Sequence, residues 1–188
     1  MKTLIIGAAV ISLAFTTCTS GNKQNSTESM SKNTSETKSL EAGAGTTSTR
    51  RIVDSYIKLK NALTEDNDKD AANAGYELVK AFENFDKSSL NQEQAKEYTD
   101  IYEDAKEHAE HIGANAGNIN HQREHFETLS KDVYDLVKSV GGAQKLYYTN
   151  CPMYNNNKGA DWLSETKTIK NPYLGRKMPR CGTVKEEL

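Results

Sequence analysis

Two cysteines and two methionines near the C-terminal end form the first group of side chains that could do chemistry. Cys151 and Met153 lie at the start of a segment that spans residues 147–182, and Met178 and Cys181 lie at its end. Thiolate and thioether sulfurs are soft ligands, which favour Cu(I) or Ag(I), and zinc through the thiolates, over magnesium or calcium. If the two ends of the segment meet, the sequence predicts a four-sulfur metal site.

The same two cysteines have a structural alternative. Paired cysteines in an exported protein commonly form a disulfide, and closing a loop of about thirty residues stabilises a fold by roughly 3–4 kcal/mol. A Cys151–Cys181 disulfide would leave Met153 and Met178 as packing side chains. The residue types alone leave both interpretations open.

The four histidines of the chain are a second group, because all of them lie within one short stretch. His108 and His111 are three residues apart, and His121 and His125 are four residues apart. Residues at these spacings share one face of a helix. If two antiparallel helices carry the two pairs, four imidazoles can meet and would suit Cu(II) or Zn(II). Exposed histidines near a helical turn are also ordinary, so this second site is a hypothesis.

Several short runs of the chain carry a resemblance to a known family. In the C-terminal segment these runs are Cys151–Met153, Lys158–Ser164, Ile169–Gly175, and Met178 with Cys181–Gly182. They resemble a bacterial family that is catalogued as domain of unknown function 3347. The resemblance extends back through His121–Phe126 and Leu129–Ser130, and loosely to about Ile52.

The resemblance implies a context in metal transport. Members of that family occur alone on small exported proteins, or fused to periplasmic adaptor subunits of copper and silver efflux pumps. Residues Tyr148–Met153 are also similar to the Tyr-x-Cys-Pro-Met core of short heavy-metal-binding domains, with one residue inserted before Cys151 and with Tyr154 in place of His-Pro. The partner that these resemblances imply is a heavy-metal efflux adaptor or pump.

The elements that must position these side chains are helices. Four apolar stripes recur at three-to-four spacing, within residues 52–63, 78–85, 98–112 and 126–140. We therefore predict an all-α fold, a four-helix up-down bundle with an irregular C-terminal segment packed against it. Trp162, Ile169 and Tyr173 are the side chains expected to attach that segment to the bundle.

Several polar and glycine residues predict the helix ends. Asn91 with Gln94 is expected to cap the third helix and Asn118 the fourth, while Gly113–Gly117 forms the turn between them and Gly141-Gly142 ends the fourth helix. A separate acidic run, Asp66–Asp70, resembles the start of a calcium loop. Ala71 stands where such a loop needs glycine, so we favour a solvated turn in which Asp68 or Asp70 caps the second helix.

The N-terminal region predicts export and a lipid anchor. The apolar run Leu4–Phe15 is too short to span a bilayer comfortably, and it is followed by Cys18, as in a lipoprotein signal peptide of residues 1–18. Residues 19–47 are polar and predict a disordered tether. Residues 48–188 then form a single helical domain, lipid-anchored to the cell envelope and facing the periplasm.

Charge and motifs limit the classes of function. The chain carries 24 basic and 26 acidic residues, a net charge of −2 with interspersed signs, which argues against nucleic acid as a partner. The sequence contains no phosphate loop or dinucleotide fingerprint, so we do not expect an enzyme. The predicted function is binding of copper or silver ions as a buffer or carrier linked to efflux. The alternative is a structural or interaction module stabilised by a Cys151–Cys181 disulfide.

Overall fold

Four long helices make up most of the described protein. The computed structural model describes residues 44–188, so the predicted signal peptide, the lipidation at Cys18 and the tether up to residue 43 lie outside the described part. The helices are α1 (Ala44–Thr64), α2 (Asp68–Glu83), α3 (Gln92–Ala114), α4 (Ile119–Val140) and the short α5 (Tyr154–Asn157). Short 3-10 turns occupy Lys87–Ser89 and Gly175–Lys177. Helix α1 thus begins earlier than residue 48, where the apolar pattern places the start of the helical region.

The predicted caps of the last two long helices are confirmed. Asn91 and Gln94 form a reciprocal capping box at the start of α3, and the side chain of Asn118 accepts a hydrogen bond from the backbone of His121 at the start of α4. Gly141 ends α4 with a φ of +88°, a conformation that side chains rarely adopt. These caps fix where the histidine-bearing helices begin and end.

The cap of α2 differs from the prediction. Asn67 is the N-cap residue, and its side chain accepts from the backbone N–H of Asp70. Asp68 therefore lies in the first turn of α2, where its carboxylate accepts from the backbone N–H of Gly117. The prediction of Asp68 or Asp70 as the cap was wrong because an Asn side chain one residue earlier satisfies the same orphan N–H groups. The Asp66–Asp70 run therefore forms the turn between α1 and α2.

The helices pack as a bundle around one apolar core. Each long helix contacts the next along the chain, and α1 also contacts α4. The predicted stripes supply the core, with Tyr56, Leu59, Ile112, Phe126 and Leu129 fully buried. The predicted all-α four-helix bundle is confirmed. Within residues 44–188 no helix combines the length and the apolar content that a membrane crossing requires.

The C-terminal segment is more regular than the prediction of an irregular wrap. It contains three antiparallel strands, β1 (Tyr147–Cys151), β2 (Ala160–Ser164) and β3 (Thr183–Glu187), in the order β2-β1-β3. Each strand has only five residues, and their apolar and polar residues alternate too briefly to predict a sheet. Residues 165–182 connect β2 to β3 and return the chain to the middle strand.

A buried polar network attaches this small sheet to the bundle. The Tyr56 hydroxyl lies 2.8 Å from Ser130 Oγ and accepts from the backbone N–H of Leu163 at 3.0 Å. Trp162 is fully buried, and Tyr173 is 2% exposed and donates to a backbone carbonyl of β2. The predicted attachment through Trp162 and Tyr173 is therefore confirmed, and the sheet is part of the same packed unit as the helices.

Candidate metal centres

The four histidines converge where α3 and α4 approach their connecting turn. His108 Nδ1 lies 2.8 Å from His125 Nδ1, and His125 Nε2 lies 3.2 Å from His121 Nε2. The His111 ring stacks on the His125 ring with their centroids 4.4 Å apart. The short Ala114–Ile119 connection makes the two helices antiparallel, which brings the i,i+3 pair of one opposite the i,i+4 pair of the other. The expected meeting of four imidazoles is present.

Three of these histidines are arranged as metal ligands would be. His111, His121 and His125 each offer one ring nitrogen, and these nitrogens lie within 4.8 Å of one another. Two imidazole nitrogens on one tetrahedral zinc ion, each about 2.0–2.1 Å from it, are roughly 3.3 Å apart. The 3.2 Å between His121 Nε2 and His125 Nε2 is close to that value. The cluster can accept a borderline divalent ion with small ring movements.

The environment favours the protonation state that binds metal. Burial lowers the pKa of His125, and the neighbouring imidazoles of His111, His108 and His121 lower it further. A lowered pKa keeps the imidazole neutral at physiological pH, and only the neutral ring has a lone pair for a metal ion.

Carboxylates on the same helices surround the cluster. Glu124 Oε2 lies 3.1 Å from His121 Nδ1, and Glu107 Oε1 lies 3.7 Å from His111 Nε2. The sequence analysis missed both residues, although their i+3 and i−4 spacing from the histidines could have indicated them. Carboxylates in this position orient metal-binding imidazoles and raise their basicity.

Two further carboxylates, Asp104 on α3 and Asp132 on α4, lie where these two helices pack together. Asp104 Oδ1 is 3.5 Å from His108 Nε2, one helical turn from the cluster. Burial, together with the charges of Asp104 and Asp135, raises the pKa of Asp132 to about 7. The buried Oδ2 of Asp132 has no hydrogen-bond partner among the residues that the structure describes. No pattern in the sequence indicates this half-buried acid, because an i+7 spacing from His125 is typical of any helix face.

The second candidate centre is built by the strands. Asn150 of β1 pairs with Thr183 of β3, so the residues just beyond the paired ends, Cys151 and Cys181, come together. Their Sγ atoms lie 2.7 Å apart, Cys151 fully buried and Cys181 partly exposed. The two ends of the segment therefore come together, which is the condition that a four-sulfur site requires.

The two methionines lie at the same place. Met153 and Met178 line an open groove of about 420 Å³ together with Pro179, Arg180 and Cys181. Almost all of the groove surface is apolar, and Met153 is 49% exposed. All four sulfur-bearing residues singled out in the sequence thus belong to one cluster, here called the sulfur cluster.

The distance between the two cysteine sulfurs is longer than a disulfide bond and shorter than the distance between two thiolates on one metal ion. A disulfide bond is about 2.05 Å long, whereas two thiolates on one tetrahedral zinc ion are roughly 3.8 Å apart. The two sulfurs are not bonded to each other in this structure. Burial and the adjacent Cys151 thiol raise the pKa of Cys181, while the backbone N–H of Met153 donates to its sulfur and opposes that shift. Either state requires a small adjustment of the two side chains.

Asn171 positions the Cys181 side of the sulfur cluster through hydrogen bonds to the backbone. Its fully buried side chain donates to the backbone carbonyl of Cys181 at 2.7 Å and accepts from the backbone N–H groups of Tyr173 and Leu174. Its own backbone N–H donates to the carbonyl of Pro179. The Asn-Pro dipeptide was a turn signal that could have indicated this role.

The fold and the two clusters define a helical-bundle domain that presents two separate sets of potential metal ligands. A family described as "Protein of unknown function (DUF3347)" matches residues 52–145, half of the chain, and the chain belongs to that family. The match covers all four histidines and ends before β1, so the sulfur cluster lies outside the matched residues. No curated protein and no solved structure matches the chain.

Proposed function

We propose that this protein binds soft metal ions of the copper group at the sulfur cluster, as a buffer or carrier linked to metal efflux. One observation carries the proposal: Cys181, Met153 and Met178 line one groove that opens to solvent, and the buried thiol of Cys151 lies 2.7 Å from that of Cys181. Sulfur ligands of both kinds select Cu(I) and Ag(I) over harder ions.

The surroundings of the sulfur cluster support a bound ion that can be delivered. A Cu(I) ion held by two thiolates carries a net charge of −1, and Arg180, one of the residues that line the groove, supplies a positive charge close to it. Buried Cys151 provides a shielded ligand, whereas half-exposed Met153 provides a neutral one at the surface. An incoming partner can displace the thioether first and remove the ion through the open side of the groove.

Localisation and partner are part of the same proposal. Residues 1–18 direct export, Cys18 carries lipid, and the domain works at the cell envelope beside a heavy-metal efflux adaptor or pump. The short apolar run that ends at Cys18 supports this, as does the resemblance described above. Replacing Cys18 with Ser is expected to release the protein from the membrane fraction. An intact mass that corresponds to an unmodified chain beginning at Met1 would contradict the anchor.

The competing function is a non-enzymatic structural or interaction module with a Cys151–Cys181 disulfide. The 2.7 Å separation of the sulfurs also favours this state, because little movement is needed to form the bond. The two functions exclude each other at any one moment, since a disulfide has no thiolate to offer. Titrating thiols in denatured chain purified without reductant distinguishes them: two thiols besides Cys18 support metal binding, and none supports the module.

The proposal is tested by titrating the reduced full chain against a chromophoric Cu(I) chelator. We expect the protein to withdraw one equivalent of Cu(I), because the cluster holds one pair of thiolates. Ag(I) should compete for the site, and Mg(II) and Ca(II) should not. Failure of the reduced chain to withdraw any Cu(I) would contradict the proposal and leave the disulfide module.

A further inference from the structure

The four histidines are not equivalent in their contacts. We propose that His111, His121 and His125 bind one Zn(II) or Cu(II) ion, and that His108 is a positioning residue that orients His125. The fourth coordination position of the ion is then open. This second metal site does not rest on the proposed function of the sulfur cluster, because the two sites share no residue.

The contacts of His125 determine the roles of its neighbours. Its Nε2 faces His121 Nε2 at 3.2 Å, a distance that one tetrahedral ion between them would produce. Its Nδ1 faces His108 Nδ1 at 2.8 Å, which is a hydrogen-bond distance and too short for two ligands of one ion. The ion therefore belongs on the Nε2 side of His125, and His108 lies on the opposite side of the ring.

A carboxylate lies beside the ring nitrogen of His108 that does not face His125. With the ion on Nε2 of His125, the proton of that ring lies on Nδ1 and is donated to Nδ1 of His108. Neutral His108 then carries its own proton on Nε2, which faces Asp104 Oδ1 at 3.5 Å. The result is a chain from the ion through His125 and His108 to Asp104. Such a chain fixes the tautomer of the ligand and makes its Nε2 a better donor to the ion.

The other two ligands have outer partners of the same kind. Glu124 faces His121 Nδ1 at 3.1 Å, which leaves His121 Nε2 for the ion. Glu107 faces His111 Nε2 at 3.7 Å, which leaves His111 Nδ1. His121 and His125 therefore each direct one nitrogen to the cluster and the other to an outer group, Glu124 or His108, and His111 has Nδ1 left for the ion. Orientation of every ligand by an outer group is a recurrent property of metal sites.

Three protein ligands leave room for an exchangeable one. The His111 side chain is 47% exposed and must turn from its stacked position on His125 to face the ion. A tetrahedral ion with three imidazoles keeps a fourth position for water or another small donor. An incoming ligand can enter there before any histidine leaves. The site is thus suited to exchange of a divalent ion, in contrast to a closed structural site.

Co(II) is the probe for this site, since its visible d–d bands report tetrahedral nitrogen coordination and thiolate charge-transfer bands would report the cysteines. Co(II) is titrated into the full chain and then displaced with Zn(II). Each of His111→Ala, His121→Ala and His125→Ala should lower the affinity by more than about 100-fold. His108→Ala should lower it by about 10- to 100-fold, with one equivalent and the tetrahedral spectrum retained.

Two further variants distinguish the loss of the contact that orients His125 from a general disruption of the fold. His108→Asn places an amide oxygen near the former Nδ1 and should recover most of the affinity lost in His108→Ala. Asp104→Asn should weaken binding by up to about tenfold, the low end for a group that orients a metal ligand without touching the ion. The matched control is Asp100→Asn, one turn earlier on α3, where the carboxylate pairs with Lys96 and no effect is expected.

Addition of azide tests the open position. Azide should change the d–d spectrum of the Co(II)-loaded parent, because it replaces the exchangeable ligand. A spectrum that azide does not alter, or a His108→Ala variant that loses binding as completely as His125→Ala, would overturn the proposal in favour of four histidine ligands. Absence of any Co(II) binding by the parent would also overturn it. Cu(I) binding at the sulfur cluster should be unchanged in all these histidine variants, so the two proposals can fail separately.

Discussion

The histidine cluster and the sulfur cluster are built in different ways. The histidines lie on two helices joined by a short turn, so the spacing along each helix brings their rings together. The cysteines are thirty residues apart, and strand register together with one buried asparagine brings them together. Helical spacing is a local property, whereas strand register is a long-range one. The first cluster should therefore persist when the C-terminal segment is perturbed, and the second should not.

The two clusters also differ in the ions that they suit. Neutral imidazoles with carboxylates behind them favour divalent Cu(II) or Zn(II), while thiols and thioethers beside an apolar groove favour monovalent Cu(I) or Ag(I). The two proposals together give one protein sites for both oxidation states of copper. Substitutions at the thiols, at Asn171 and at Asp132 test this difference.

The largest effect is expected from the double replacement Cys151→Ser and Cys181→Ser. Cu(I) affinity of the reduced chain should fall by on the order of a thousandfold or more, because hydroxyl groups do not replace soft thiolates. The matched control is Met153→Leu with Met178→Leu, which keeps the apolar volume and should cost about tenfold or less, since thioethers are neutral and weaker ligands. Equal losses in the two double variants, measured by chelator competition, would contradict the assignment of the thiols as principal ligands.

Asn171→Ala should separate the two clusters. It removes three hydrogen bonds of a fully buried side chain, so the free energy of unfolding should fall by about 2–4 kcal/mol. Cu(I) affinity should fall as well, because the carbonyl of Cys181 is no longer held in place. Exposed Asn73→Ala on α2 is the control, with a change within about 0.5 kcal/mol. Urea unfolding measures the stability, and a simultaneous loss of Co(II) binding at the histidines would show that the clusters are not independent.

Asp132→Asn should change how the free energy of unfolding depends on pH. The pKa of the Asp132 carboxyl is about 7 in the folded state and near 4 in the unfolded chain. Below about pH 4 the carboxyl is protonated in both states, and its contribution to the stability of the fold is fully present. As the pH rises from 4 to about 7, the unfolded chain loses this proton more readily than the folded protein does, so that contribution is lost. The variant should therefore be more stable than the parent above pH 7 by about 1–3 kcal/mol, after allowance for partial exposure, and equal to it near pH 4. Urea unfolding from pH 4 to 8 measures the difference. A difference that does not depend on pH would contradict a buried, protonated Asp132.

Much of the helical half was predictable from the sequence because helices are determined locally. The apolar stripes, the Asn91–Gln94 capping box, the Asn118 cap and the Gly141 stop all correspond to short-range patterns. The cap of α2 was misplaced by one residue, since Asn67, Asp68 and Asp70 are all good capping residues and only the backbone geometry decides among them. The small sheet was missed because its strands are short and their pairing depends on residues far apart in the chain.

The candidate sites show the same division. The histidine convergence followed from spacing, whereas the meeting of the cysteines was only a condition of the four-sulfur site, because strand register brings them together. The supporting groups gave weak signals. Asp104, Glu107 and Glu124 stand at helical spacing from the histidines but resemble ordinary helix-surface residues until their contacts are known, and the Asn-Pro turn signal does not show which backbone groups Asn171 contacts. Different roles for His108 and His125 likewise depend on which ring nitrogen faces which neighbour.

The central claim is that a soft ion binds to the sulfur cluster and not to the histidines. X-ray absorption at the copper K-edge, on reduced full chain loaded with one equivalent of Cu(I), tests it most directly. We expect a Cu(I) edge with two or three sulfur neighbours at about 2.3 Å, by analogy with zinc–thiolate bonds, and no imidazole scattering. A first shell made only of nitrogen, with the multiple scattering of imidazole rings, would place the ion at the histidines and contradict the claim.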